Sequence, residues 1–94
     1  MKIYDYNGKK NLCGLCIQQT RKEKNLTQAD LAERLHAEGI LIEQDSISRI
    51  EIGKRFVADY ELMAISKILE VSVEELFENG DANMQSEALF ADNS

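Results

Sequence analysis

Hydrophobic residues recur along this chain at the three- and four-residue spacing of amphipathic helices. Four such stretches lie between residues 11 and 69, and a shorter one follows at 71–77. The positions that these stretches would bury are Cys13, Cys16, Ile17 and Thr20; Leu31, Ala32 and Leu35; Ile47 and Ile50; Leu62, Ile65, Ser66 and Leu69; and Val71 and Leu76. The pattern predicts five helices with short connectors, which together form a compact all-α domain.

Residues at the ends of these stretches suit helix termini. Asn11 suits the N-cap of the first helix, and Asn25 suits its C-terminal stop. Thr27, with Asp30 three residues later, is expected to cap the second helix, which ends near Gly39.

The third helix is predicted over about residues 44–52, with Gly53 as the left-handed residue that ends it. Its N-cap is open between Glu43, which has the better position, and Asp45, which has the better chemistry. Asp59 is expected to cap the fourth helix. For the short fifth helix, Ser72 and Glu75 have the spacing of a capping box, with Val71 and Leu76 as a hydrophobic staple.

The 94 residues are enough for one domain. We expect residues 1–10 to form an N-terminal arm, 11–77 the helical domain, and 78–94 an acidic, flexible tail that a partner could order. No apolar run approaches the roughly 20 residues of a membrane helix. The first residues lack the apolar core of a signal peptide, so the expected location is the cytoplasm, without membrane contact.

Charge is distributed unevenly along the chain. The net charge is −6, which argues against a nucleic-acid partner because basic surface normally supplies the attraction to phosphates. Residues 9–55, however, carry nine basic and seven acidic side chains, whereas residues 56–94 carry one basic and nine acidic side chains. The acidity therefore lies mainly outside the second and third predicted helices.

Cys13 and Cys16 form a single C-x-x-C motif, as in a redox pair or half of a zinc site. A zinc site would need two more ligands, and His36 is the only histidine. A redox pair normally follows a strand in a βαβ unit, and no such pattern surrounds these residues. We expect both thiols to lie in the core of the domain and predict no bound metal and no cofactor.

Four blocks in a fixed order give the chain a recognisable signature: RKEKNLTQ at 21–28, LAERL at 31–35, ISRIEIGKR at 47–55 and LEVSVEEL at 69–76. With these blocks the chain resembles the lambda-repressor-like (Cro/repressor, or XRE) helix-turn-helix family over about residues 11–77. The resemblance implies a compact five-helix DNA-binding domain. In such a domain one helix lies across the DNA backbone while the next, the recognition helix, enters the major groove.

The resemblance also implies roles for individual residues. Gln28 resembles the glutamine that binds a phosphate and braces the recognition helix. Gln44 resembles the first residue of that helix, which can bond adenine N6 and N7, while Arg49 could read guanine O6 and N7. Arg21 and Glu51 match a partly buried structural ion pair. The complete implied DNA-binding set is Thr27, Gln28, Gln44, Asp45, Ser46, Arg49, Lys54 and Arg55.

Several of these residues have an alternative interpretation. Gln28 and Gln44 could be ordinary surface amides, and Arg49 could bond Glu33 or Asp45 instead of DNA. The basic pair after Gly53 could form a solvated loop without a partner.

Two departures from the family pattern affect the register of the recognition helix. The connector between the second and third helices is about five residues longer than the usual short turn, so Gln28 and Gln44 lie sixteen positions apart. In addition, Glu43 and Asp45 place negative charge at the start of the third helix. The longer connector affects how Gln44 to Arg49 are placed in the groove, and the negative charge predicts modest affinity that depends on a second subunit.

The leading hypothesis is a repressor-like, sequence-specific transcription regulator that binds double-stranded DNA as a homodimer. No enzyme is predicted, because no nucleophile–base pair, phosphate loop or metal cluster is visible. The alternative is an antitoxin or protein-interaction adaptor with the same fold, whose tail at 78–94 binds a partner. A thiol switch at Cys13 and Cys16 is a third hypothesis.

Overall fold

The computed structural model describes residues 8–78, which form five α-helices. They are α1 Gly14–Glu23, α2 Gln28–Ala37, α3 Gln44–Glu51, α4 Asp59–Leu69 and α5 Glu75–Glu78. No β-strand occurs in this range, so the predicted all-α fold of five helices is confirmed. The predictions for residues 1–7 of the arm and 79–94 of the tail lie outside the described residues. None of the helices in 8–78 has both the length and the hydropathy needed to cross a bilayer.

A single cluster of apolar side chains, to which all five helices contribute, forms the core. The predicted inward positions are buried, except that Leu62 and Val71 are partly buried at its edge. Helix α1 contacts α3, α4 and α5, while α2 contacts α3 and α4. Helix α3 therefore lies on a support formed by α1 and α2, with one face left for solvent.

Thr27 is the N-cap of α2, as its sequence predicts, and Asp30 completes a capping box with it. The Asp30 N–H donates to Thr27 Oγ1 at 3.0 Å, and the Asp30 carboxylate accepts from the Thr27 N–H at 2.9 Å. Hydrogen bonds to this carboxylate, from the Thr27 backbone N–H first and then from the Thr27 hydroxyl, hold the pKa of Asp30 below its ordinary value. Just upstream, Asn25 has a φ of 60°, the left-handed conformation expected of the residue that ends α1.

Helix α4 begins differently from the prediction. Asp59 is its first residue and not its N-cap, which is Ala58. The Glu61 carboxylate accepts the Ala58 N–H at 3.0 Å. The assignment of Asp59 as the N-cap was wrong. The helix begins one residue earlier, and the Glu61 side chain binds the free N–H of Ala58. At α5 the predicted pair is present, since the Ser72 and Glu75 side chains each bind the other's backbone N–H.

The long connector between α2 and α3 is a packed loop. Residues 38–43 separate the two helices, and Gly39 turns the chain with a φ of 84°. Ile42 enters the core with 2% of its surface exposed, whereas Leu41 is 79% exposed. His36 Nε2 lies 3.1 Å from the Ile42 carbonyl oxygen and holds the loop to the end of α2. The extra residues are therefore accommodated without separating α2 from α3.

Both cysteines are free thiols buried at the start of α1. The Cys16 thiol donates to the Glu75 carbonyl at 3.1 Å and so connects α1 to α5. Their predicted place in the core is confirmed.

Candidate nucleic-acid interface

The outer side of α3 is the surface that could enter a DNA groove. Gln44 and Asp45 at its N-terminal end and Arg49 in its last turn are exposed, and Ser46 is half-buried. Ile52, the C-cap residue, continues this stripe with 58% of its surface exposed. The opposite side of the helix is buried in the core. Four residues of the implied DNA-binding set, Gln44, Asp45, Ser46 and Arg49, thus occupy one continuous, outward-facing surface.

A buried ion pair holds the inner side of α3 to α1. Arg21 Nε and Nη2 donate to the two carboxylate oxygens of Glu51 at 2.7 and 3.0 Å. The Arg21 side chain is 8% exposed and that of Glu51 is 0% exposed. Arg21 Nη1 also donates to the Leu26 carbonyl at 2.7 Å, in the turn before α2. A charge-assisted bidentate pair of this kind fixes orientation as well as distance.

Gln28 joins this network from the first position of α2. Its Nε2 donates to Glu51 Oε1 at 3.0 Å, so one carboxylate binds side chains from both α1 and α2. The three helices consequently meet at Glu51. Gln28 is half-buried and borders a shallow groove of about 530 Å³, which is lined by Gln28, Glu43, Gln44, Asp45 and Ser48. Thr27, which caps α2 beside it, is exposed.

Asn11 and Gly14 position the other end of α3. The prediction of Asn11 as the N-cap of α1 was wrong, because Cys13 is the N-cap and Asn11 lies two residues before it. Asn11 Nδ2 donates to the Ile50 and Arg55 carbonyls at 3.0 and 2.8 Å, and Asn11 Oδ1 accepts from the Gly14 N–H at 2.7 Å. A Cβ atom on Gly14 would lie 2.0 Å from the Ile50 carbonyl oxygen. The sequence contains two signals of this arrangement, an asparagine before a helix and a glycine at its start. It does not show which distant residues these two contact.

Arg49 makes weak contacts within its own helix. Its Nη2 donates to Ser46 Oγ at 3.3 Å and lies 3.8 Å from the Asp45 carboxylate, one turn earlier. The Arg49 and Asp45 side chains are 55% and 76% exposed. Solvent-exposed pairs of this kind contribute little stability. They leave the guanidinium available while limiting the directions in which it points.

The two basic residues after Gly53 differ in exposure and in their partners. Lys54 is exposed, whereas Arg55 donates to Glu61 at 3.1 and 3.3 Å and to the Phe56 carbonyl at 3.0 Å. Burial raises the pKa of Glu61, but the Arg55 hydrogen bonds, the Ala58 N–H and the Arg55 charge together hold that pKa below its ordinary value. Arg55 therefore connects the loop to α4, and Lys54 is the residue of this pair that extends into solvent.

Comparison with known proteins gives the chain a family. A family model described as "Helix-turn-helix" matches residues 17–76, which include the last seven of the ten residues of α1 and the whole of α2, α3 and α4. The HTH-type transcriptional activator BcrR of Enterococcus faecalis is 40% identical over 60 residues, which are 64% of this chain and 27% of that protein. The chain thus spans about a quarter of that relative's length. No solved structure gives a significant match. Because the family match covers more than half of the sequence, the chain belongs to the lambda-repressor-like helix-turn-helix family.

Proposed function

We propose that this chain is a sequence-specific DNA-binding regulator of transcription that inserts α3 into the major groove. The observation that carries the proposal is the exposed stripe of Gln44, Asp45 and Arg49 on a helix whose opposite side is rigidly held. A recognition helix must present polar side chains to base edges without moving relative to its support. The family match and the relative named as a transcriptional activator support the same function.

Each residue on this stripe has chemistry that suits one kind of contact. Gln44 has the amide that pairs with adenine N6 and N7, and Arg49 has the guanidinium that pairs with guanine O6 and N7. Lys54 is a point charge for a phosphate. Asp45 would keep the Arg49 guanidinium directed along the helix, which gives a role to a negative charge that is otherwise unfavourable near DNA.

A second copy of the chain is part of the proposal. Helix α3 has eight residues and is only about 12 Å long, so one copy reads a few base pairs. Two copies on half-sites about 10 base pairs apart would double the contacts. We therefore expect a homodimer on an inverted repeat, located in the cytoplasm.

We infer repression as the effect of this chain on its promoter. Occupying an operator is enough to exclude polymerase, and a small helical domain can do so without a further surface. The Enterococcus relative is named an activator and is about four times as long as the part that this chain matches.

Selection from a randomised duplex library tests the proposal directly. The full chain is mixed with the library at low salt, bound duplexes are recovered, and the enriched sequences are read. We expect an inverted repeat whose half-sites are centred about one helical turn apart. Recovery of no preferred sequence, together with no mobility shift on any recovered duplex, would contradict sequence-specific binding.

Variants of the exposed stripe then test which residues read bases. Arg49→Ala should cost about 1–3 kcal/mol and remove the preference for guanine at one position of each half-site. Lys54→Ala should weaken binding to all duplexes alike. Arg34→Ala is the matched control, because Arg34 is an exposed arginine on α2. If Arg49→Ala keeps every base preference of the wild type, α3 does not lie in the groove in this register.

A further inference from the structure

An exposed apolar residue, Ile52, lies on the outer face of α3, where the other exposed side chains are polar. Ile52 follows Asp45 by seven positions and Arg49 by three, a spacing that places all three side chains on one face of a helix. Ile52 has 58% of its surface exposed, whereas Ile47 and Ile50 on the opposite face are buried. The outer face of α3 therefore presents a branched hydrocarbon next to the Arg49 guanidinium.

The backbone and the neighbouring helix hold Ile52 in a defined direction. Its N–H donates to the Ser48 carbonyl at 3.2 Å, the bond of a regular helical turn, so its side chain continues the face formed by the residues before it. Ile52 also borders a cleft of about 270 Å³ that Leu15 and Gln18 of α1 help to line. Because a β-branched side chain has few χ1 rotamers, its exposed methyl groups keep a fixed place beyond Arg49.

The chemistry of an isoleucine limits what it can recognise in a groove. The edges of the bases present hydrogen-bond donors and acceptors to the major groove, together with one apolar group, the C5-methyl of thymine. The side chain of Ile52 can neither donate nor accept a hydrogen bond. Contact with a methyl group removes apolar surface of both partners from water, whereas contact with a polar base edge leaves a donor or acceptor without a partner.

We propose that Ile52 is a specificity-determining residue that reads the C5-methyl group of a thymine in each half-site. This inference rests on the proposed insertion of α3 into the major groove and adds a base contact of a different chemistry. Three residues of helix advance about 4.5 Å, and successive base pairs are about 3.4 Å apart. The thymine therefore lies one or two base pairs from the guanine that Arg49 reads.

Removing single methyl groups from the DNA tests this contact. In the duplex recovered by selection, each thymine is replaced in turn by deoxyuridine, at the equivalent position of both half-sites. This exchange deletes the methyl group and keeps the base pair and its hydrogen-bonding edge. We expect one thymine position at which the affinity of the wild-type chain falls about fourfold for each half-site, or about 16-fold for both, which is the factor that burying one methyl-sized group supplies.

Variants of the protein show whether Ile52 detects that methyl group. Ile52→Ala should bind the thymine and deoxyuridine duplexes with affinities that differ by about twofold or less, whereas Ile52→Val, which keeps the branched carbon, should retain most of the wild-type difference. Met63→Ala is the matched control, because Met63 is an apolar residue of α4 with 65% of its surface exposed. Fluorescence anisotropy with labelled duplexes at one salt concentration gives the affinities, and thermal unfolding shows that each variant is folded.

The outcomes separate this inference from the function on which it depends. Loss of the thymine preference at one position in Ile52→Ala, but not in Met63→Ala, supports the methyl contact. If no thymine is sensitive to deoxyuridine, or if Ile52→Ala keeps the wild-type preference, Ile52 does not read a methyl group, and groove recognition through Arg49 is unaffected. A wild-type chain that binds no duplex at all overturns both.

Discussion

Replacing Glu51 by alanine would leave the Arg21 guanidinium charged and buried without a counter-charge. In the native domain both donor groups of this pair lie 2.7–3.0 Å from the carboxylate, and neither side chain is more than 8% exposed. Removing one partner of a buried pair costs about 3–5 kcal/mol, because the remaining charge keeps its desolvation penalty. Gln28 would lose its acceptor as well.

That cost is large for a domain of this size. About 70 residues correspond to a free energy of unfolding of about 4–10 kcal/mol. We expect Glu51→Ala to lose about 30% or more of that free energy and to lower the Tm by about 12 °C or more. Urea unfolding followed by far-ultraviolet circular dichroism measures the loss as a change in midpoint at constant slope.

A control and a double variant distinguish the buried pair from an ordinary surface pair. Glu38→Ala breaks the exposed Lys67–Glu38 bridge of 3.1 Å and should cost about 0.2–1 kcal/mol. Arg21→Met/Glu51→Leu replaces both buried charges with apolar groups and should recover most of the stability lost by Glu51→Ala. The reasoning is refuted if Glu51→Ala unfolds at the same urea concentration as Glu38→Ala, or if the double variant is as unstable as the sum of its single changes.

Two further predictions concern packing and pH. Gly14→Ala should destabilise the domain by about 1–3 kcal/mol or more, because the added Cβ would lie 2.0 Å from the Ile50 carbonyl oxygen. The control is Gln19→Ala at an exposed position of the same helix. Equal Tm values for the two variants would contradict this close approach. The pKa values of Asp30, Glu61 and Glu75 lie below their ordinary values in the folded domain. The ionised carboxylates therefore stabilise the fold above about pH 4.5, and this stabilisation is lost as the pH falls through their folded-state pKa values. Urea unfolding at about pH 7, 4 and 3 should show this decline, and Glu61→Gln should flatten it; equal pH dependence in that variant would exclude Glu61 as a contributor.

The sequence by itself determined the helices, most of their ends and the face that each one buries. Thr27 and Asp30 form their capping box within a single turn, and Cys16 and Ile17 follow the period of one helix. Such features depend on residues three or four positions apart, so the local pattern is sufficient to predict them. One exception, at Asp59, is also local: Glu61 accepts the Ala58 N–H, and the helix starts one residue earlier than expected.

Only the tertiary structure decided which side chains surround α3 and which of the two basic residues after Gly53 stays exposed. Arg55 and Lys54 are adjacent and equally basic in sequence, yet Glu61 neutralises one and leaves the other exposed. Asn11 binds carbonyls 39 and 44 positions away, and in the same segment the Lys10 N–H donates to the Gly53 carbonyl just after α3. These partners are brought together by the packing of α1 against α3. A short-range pattern of polar and apolar residues cannot predict that packing, because the packing depends on the whole core being formed.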